Sequence, residues 1–532
     1  MQSSSAAPAA RHILEAVLLA VAFAAAHTQS PLYYSNQNQY LLHGAALASH
    51  GQLAHDWLAN TRDPTPLFSL LVAGVYSLHA WLLQPLYFAL LMSYFLGVRW
   101  LVAAVPNVPD TRAARVTFAA IFTATHAAIL RWLSVQATGV DYPWYLQAGV
   151  ASQYLLGPGI QPSAFGVLLV FAVGAFAHGR AVLACALAAV ACWFHSTYLL
   201  PAGLLVFGFL YALSLDGQTR TGVFAGKVAL AVVAPVVVFI VARFSPFDRG
   251  AADALHILAN VRIPHHCLPA RWFDPVAGLQ LAWLTLGLCL VWRTSFGRAL
   301  VVAAVGGALL TALQVAIHSN SLALAFPWRI SVLLVPLATA IVIAKVLAYA
   351  LPEKWAERAA IAGLCALVAG GVVVIACGLG YKTVDENALY DHIRATTGPD
   401  DVYLLPVAFP KVGTGRGAVS NTFAPPPRAK EGTNQIPVDL QRFRLATGAR
   451  IYVDFKSVPY AADEVKEWHQ RMKFASAFYG HNGPNGPYQS DAHVALKYHG
   501  VTHVVAPRSQ PFEEWYLTEV YSDSAYIVYK VE

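Results

Sequence analysis

Long apolar runs separated by short basic connectors fill the first 379 residues, and from residue 380 the text changes to short segments of mixed character. The runs lie near 12–27, 66–81, 84–105, 116–133, 160–177, 181–194, 197–214, 227–243, 278–292, 299–317, 330–350 and 359–379. Each approaches the roughly 20 residues that a helix needs to cross hydrocarbon. The first follows Arg11 and ends in small residues, as a secretory signal does. So many spans come after it that a retained first helix is the expectation.

Lys and Arg set the orientation. Arg112 with Arg115, Arg180, Arg220 with Lys227, Arg293 with Arg298, and Lys354 with Arg358 mark short basic connectors of the cytoplasmic type. The long connectors 28–65, 134–159, 244–277 and 318–329 then face the opposite side, together with everything after residue 380. Two crossings between 66 and 105 put the Arg112 connector on the wrong side, so eleven to thirteen spans are expected, one of the early runs being miscounted or re-entrant.

Beyond "GLGYKTVDENALYDHIRATTGPDDVYLLPV" the pattern predicts a soluble α/β unit over 380–532. "ENALYDHIRATT" and "AADEVKEWHQRMKFASAFY" have helical spacing, "VYLLPV" and "RIYVDF" read as strands, and "HVALKYHGVTHVVAP" reads as helix, Gly turn and strand. "PKVGTGRGAVSNTFAPPPRAKEGTNQ" and "GHNGPNGPYQS" are long Pro- and Gly-rich loops. The expected fold is mostly α: a polytopic transmembrane bundle over 1–379 with a long outer first loop at 28–65, followed by a C-terminal α/β domain.

Composition agrees with the pattern. Mean hydropathy is +0.51 and 12% of residues are charged, against roughly 25% in soluble proteins. Residues 380–532 hold 16 Lys and Arg against 17 Asp and Glu, so the net charge of +7 belongs to the apolar part and does not imply a nucleic-acid partner. Five of the six cysteines fall in apolar runs, and none has metal-type or disulfide-framework spacing. No Gly-rich loop follows a strand and opens a helix, which argues against a nucleotide-bound donor.

The densest polar text, "NQNQYLLHGAALASHGQLAHDWLANTRDPTP", lies between two apolar segments. Polar groups are costly in hydrocarbon, so this loop belongs at an interface or in an aqueous cavity. Asn36, His43 and His50 are seven apart and share one helical face beside Gln39. Asp56 and Asp63 are the loop's carboxylates; Asp63 before Pro64 is also turn text, and Asp56 is also placed to cap a helix. The histidines and aspartates together have the donor types of a divalent-metal site but no ligand motif, so the reading is of solvated interface histidines, with a divalent metal as the alternative. In "NVRIPHHCLPARWFD", Arg262, His265, His266 and Arg271 suit an anionic phosphate, or a basic loop lying on headgroups. Arg329 in "FPWRIS" opens a span, where an arginine either has a functional purpose or snorkels. Asp141 and Tyr142 lie in an outer loop rich in aromatics, which suits a sugar ring or an interface belt.

This arrangement, with "YYSNQNQYLLHG", "DWLANTRDPTPLFS", "QPSAFGVLL", "RIPHHCLPARWF", "FPWRISVLLVPL" and "FRLATGARIYVDFKSVP", resembles an uncharacterised family of bacterial polytopic proteins. In architecture it is similar to the polyprenyl-phosphate-sugar-dependent glycosyltransferases of the GT-C superfamily. The resemblance implies a bacterial inner-membrane protein with its C-terminal domain on the outer side. It implies a polyprenyl-phosphate-linked sugar as donor, a glycan or lipid acceptor, and membrane lipid around it. Asp63 or Asp56 would be the catalytic base. Arg262, His265, His266, Arg271 and Arg329 would neutralise the lipid phosphate, and Asn36, Gln39, His43, Asp141 and Tyr142 would contact substrate. Where the superfamily carries an acidic pair soon after the first span, this chain has the neutral "NQNQ". A non-catalytic assembly subunit of a polysaccharide system and a lipid or glycan transporter are the other functions the sequence leaves open.

Overall fold

In hydrocarbon every backbone N–H and C=O needs a partner within its own segment, so apolar runs of this length become helices. The computed structural model describes residues 6–27, 30–245, 250–349, 354–381, 386–409, 440–481 and 492–532. It is mostly helical with one small sheet, the architecture of a multi-pass membrane protein with a small α/β part. Among the described residues six helices are long and apolar enough to cross a membrane: Ala80–Ala103, Ser196–Leu215, Thr219–Arg243, Ser295–Ile317, Asn320–Tyr349 and Glu357–Cys377. Shorter apolar helices cover Pro66–Tyr76, Pro162–Ala177, Ala181–Phe194 and Pro275–Val291. Six is fewer than the eleven to thirteen read from hydropathy, because four apolar runs form helices of 10–17 residues and another is cut by a turn. That run, 116–133, breaks between the helices Arg112–Ala124 and Ala128–Thr138.

The run 66–81 is the informative correction. Its helix has 11 residues, Pro66–Tyr76, or roughly 17 Å at 1.5 Å per residue, well short of a hydrocarbon core of about 30 Å. Taking away that one crossing returns the Arg112 connector to the pattern of the other basic connectors.

The chain divides into two units. The first comprises Met1–Pro31, Gln84–Phe239 and His265–Gly380, and the second Leu32–Leu83, Ile240–Pro264 and Tyr381–Glu532. In the first unit the segment Asn320–Tyr349 is 89% buried, whereas Thr219–Arg243 and Glu357–Cys377 are each 17% buried. All three are equally apolar text; the first is a core helix, and the other two offer the apolar outer surface that lipid requires. Small residues allow close helix contact: a Cβ on Gly287 would lie 2.5 Å from that of Ala338, and Gly208 abuts the carbonyl of Ala299.

The second unit is assembled from three pieces of sequence. Its sheet contains β1 (Val402–Leu404), β2 (Arg450–Ile451), β3 (His503–Pro507), β4 (Leu517–Ser522) and β5 (Tyr526–Val531) in the order β2-β1-β3-β5-β4. β1 is parallel to β2 and β3, and β5 is antiparallel to β3 and β4. Parallel neighbours need crossovers, and the helices Phe443–Thr447, Ala462–His481 and Ala492–Tyr498 lie in them. Leu389, Tyr390 and Ile393 of the helix Asn387–Thr396 pack with Tyr403, Phe443, Ile451, Val505 and Val528 to form the core. The terminal hairpin β4–β5 was not read from the sequence. Both long loops of this unit lie almost wholly outside the described residues.

Candidate functional site

The polar first loop answers to the C-terminal part of its own unit. The amide of Gln39 pairs with the backbone of Val458, its Nε2 donating to the carbonyl at 2.9 Å and its Oε1 accepting from the N–H at 2.6 Å. His50 Nε2 lies 2.9 Å from the carbonyl of Leu445, and Gln52 N–H donates to the carbonyl of Gly448 at 2.7 Å. Gly51 and Gly448 both have left-handed backbones, and a Cβ on Gly51 would lie 2.6 Å from Gly448 Cα. The Arg471 guanidinium covers the Trp57 ring at 4.2 Å, and Arg62 N–H donates to Glu464 at 2.9 Å.

At the centre of this interface Asp56 is fully buried. Its Oδ1 accepts from the N–H groups of Leu58 (2.9 Å) and Ala59 (3.2 Å), and its Oδ2 from Arg444 Nε (3.0 Å) and Ile451 N–H (3.2 Å). Arg444 also reaches Asp454 at 2.9 Å. Four donors on two oxygens leave Asp56 no lone pair facing a substrate, so its role here is to cap a turn and clamp the loop. Gln39 is likewise occupied. His43 Nε2 lies 3.2 Å from the carbonyl of Thr61. The single helical face expected for Asn36, His43 and His50 does not form, because the loop folds as two short helices, Gln37–Tyr40 and Leu42–Leu47, with Ser49 in a left-handed conformation. Asn36 precedes the first of them and is half-buried.

Asp63 differs. It is half-buried, and its Oδ1 accepts from Thr65 N–H at 2.8 Å in the turn that starts the helix Pro66–Tyr76. Its Oδ2 makes no hydrogen bond among the described residues.

In the first unit Asp141 is buried against Arg131, with Nε at 2.9 Å and Nη2 at 2.7 Å from Oδ2, and the guanidinium covers Trp144 at 4.4 Å. This pair closes the loop internally and withdraws Asp141 from the expected substrate surface. Tyr142 beside it is 57% exposed.

Arg329 has no such carboxylate among the described residues. It stands in the turn Pro327–Ile330, whose entry residue Phe326 has φ 51°. Arg329 Nε donates to Gln153 Oε1 at 3.1 Å, and Nη1 donates to Thr197 Oγ1 and lies 3.2 Å from His195 Nε2. The Phe326 ring lies 4.8 Å from the guanidinium carbon. The loop bringing Gln153 to it is strained: Ala151 and Ser152 have φ of 59° and 53°, unusual for residues with a Cβ. Val150 N–H donating to Ser331 Oγ at 3.0 Å and Gln280 donating to the carbonyl of Ala148 at 2.8 Å hold that loop in place. His266 Nδ1 lies 2.8 Å from the Ala151 carbonyl, and the tilted His265 ring has its centroid 4.1 Å from that of His266. Trp272, next to Arg271, meets Trp328 at 5.2 Å.

Gln153 Nε2, Trp272 Nε1 and Trp328 Nε1 are buried without an acceptor among the described residues. Buried donors left unpaired are costly, each roughly 1–3 kcal/mol, and a guanidinium held by neutral partners is complementary to an oxyanion. Of the five expected phosphate ligands, Arg329, His265, His266 and Arg271 thus belong to the first unit and Arg262 to the second. Among the described residues no group of three or more His, Cys, Asp and Glu side chains converges as a metal site does.

Residues 429–474 match a family described as a domain of unknown function, DUF6798. The stretch includes Arg444, Ile451, Val458, Glu464 and Arg471, against which the first loop is packed. No curated protein matches the chain.

Proposed function

We propose that the chain is a GT-C-like membrane glycosyltransferase that moves a sugar from a polyprenyl-phosphate donor to an acceptor outside the cytoplasm. In this reading it sits in a bacterial inner membrane with the C-terminal unit on the outer side. The observation that supports it is Arg329, a cation held by an amide, a hydroxyl and an imidazole with no carboxylate among the described residues, which suits a phosphate. As the C1–O bond to phosphate breaks, the electron pair leaves on the phosphate and a fixed guanidinium offsets the added charge. The acceptor oxygen forms the new bond to C1 and gives its proton to a carboxylate. Of the two loop aspartates Asp63 has an oxygen, Oδ2, with no hydrogen bond among the described residues, and it is the proposed base.

A second reading is a non-catalytic subunit on the same fold. It draws on the first loop, where the neutral "NQNQ" text and Asp56 are engaged in docking. Lipid mass spectrometry on the detergent-purified protein tests the donor site. The expected result is a polyprenyl phosphate or polyprenyl-linked sugar with the wild type and its loss in Arg329→Ala. Ordinary phospholipids alone in the wild type would overturn the donor assignment. With a donor bound, unaltered transfer by Asp63→Asn would move the weight to the second reading.

A further inference from the structure

The second unit holds a pair of cations that the transferase reading does not use. The residues Ile257–Arg262 form a π-helical turn, closed by Ile263 N–H donating to the Leu258 carbonyl at 3.0 Å, and such turns recur at functional sites. Arg262, at the end of the turn, is 6% exposed. Its Nη2 donates to the backbone carbonyl of Lys456, and its guanidinium carbon lies 5.0 Å from the Phe455 ring. Its Nε is buried with no acceptor among the described residues. Lys456 is half-buried and makes no ion pair among them. The nearest carboxylate, Asp454, spends Oδ2 on Arg444 at 2.9 Å and Oδ1 on Ser457 N–H at 2.5 Å.

We infer that Arg262 and Lys456 together hold an oxyanion of the phosphate or sulfate type. Two cations brought together by the hydrogen bond from Arg262 to the Lys456 carbonyl, one with a buried N–H lacking an acceptor among the described residues, have the chemistry of such a site: Arg supplies directed donors, and Lys a mobile point charge. The inference is independent of the transferase reading. The surroundings also set its pH dependence. Burial first, then the charge of Arg262, push the Lys456 ammonium down to about 7 against the opposing pull of Asp454, and burial lowers Arg262, which Tyr460, Asp454 and Tyr40 face. Lys456 therefore gains its charge between pH 8 and pH 6, and an anion that needs that charge binds about tenfold tighter at pH 6.

The test is sulfate binding by calorimetry to the full chain in detergent at constant ionic strength, because sulfate keeps its charge over this range. An Arg329→Ala background removes any contribution from that residue. One equivalent of saturable sulfate, about tenfold tighter at pH 6 than at pH 8, is expected. Lys456→Met should abolish the binding, and Lys456→Arg should keep it while removing the pH dependence. Inorganic phosphate and dioctanoyl phosphatidic acid as competitors distinguish a soluble phosphate from a lipid headgroup, and displacement by either supports the site. Absence of saturable sulfate binding at pH 6, or the same affinity and pH dependence in Lys456→Arg, would overturn it.

Discussion

Arg444 and Arg329 are both guanidiniums held by several hydrogen bonds, and the kind of partner separates them. Arg444 meets two carboxylates, Asp56 at 3.0 Å and Asp454 at 2.9 Å, and is almost fully buried. Arg329 meets an amide, a hydroxyl and an imidazole, none of which cancels its charge at neutral pH. A cation already neutralised by its own chain is a fastener, whereas one supported by neutral groups retains the capacity to attract an anion. The same distinction separates Asp56, with four donors, from Asp63, whose Oδ2 makes no hydrogen bond among the described residues.

The sharpest way to break this comparison is to remove a fastener. Arg444→Met leaves Asp56 buried without its counter-charge, and the second unit should lose roughly 3–5 kcal/mol, read as a lower unfolding midpoint by pulse proteolysis. A loss below about 1 kcal/mol would show that Asp56 is not a clamp. Asp63→Asn should do the reverse. Transfer should fall by about 10²–10⁴, the usual worth of a general base, with the unfolding midpoint nearly unmoved, since the amide keeps the oxygen that accepts from Thr65 N–H.

Arg329→Gln should reduce retention of a lipid phosphate by roughly 10- to 100-fold, the equivalent of one charge-assisted contact, with stability kept. Quantitative lipid mass spectrometry reads it, and a simultaneous collapse of stability would make Arg329 a fastener too. Gly51→Ala places a Cβ 2.6 Å from Gly448 Cα at φ +54°, and should cost about 1–3 kcal/mol by overpacking and strain. A wild-type thermal midpoint for Gly51→Ala would show that the loop docks less closely.

Lys456 gives the smallest effect per step. Its folded pKa of about 7 lies below the ordinary lysine value, so between pH 7 and about 10 the unfolded chain binds a proton that the native one does not. Native stability then rises with pH across that window, by at most about 1.4 kcal/mol per unit. Denaturant midpoints at pH 7, 8 and 9 should show the slope in the wild type and not in Lys456→Met.

The apolar runs, the change of character near residue 380 and most of the C-terminal helices were legible, because burial in lipid or against a sheet writes a period into local sequence. The strands were partly legible: "HVALKYHGVTHVVAP" gave its helix, turn and strand, while the β4–β5 hairpin carries charged exposed positions that hid its alternation. Arg329 was readable as a polar residue opening a membrane span. Thr197 was not singled out, and its only signal was adjacency to His195. The Asp56–Arg444 contact spans 388 residues, and no local period encodes it.

Sequence alone determined that this chain is a membrane protein with a C-terminal α/β part, since hydropathy and periodicity are sums over neighbouring residues. Tertiary structure alone decided which polar residues are spent and which are available. A carboxylate in "HDW" and one in "TRDP" look alike as text; their difference lies in the donors that a distant strand brings to one and leaves off the other.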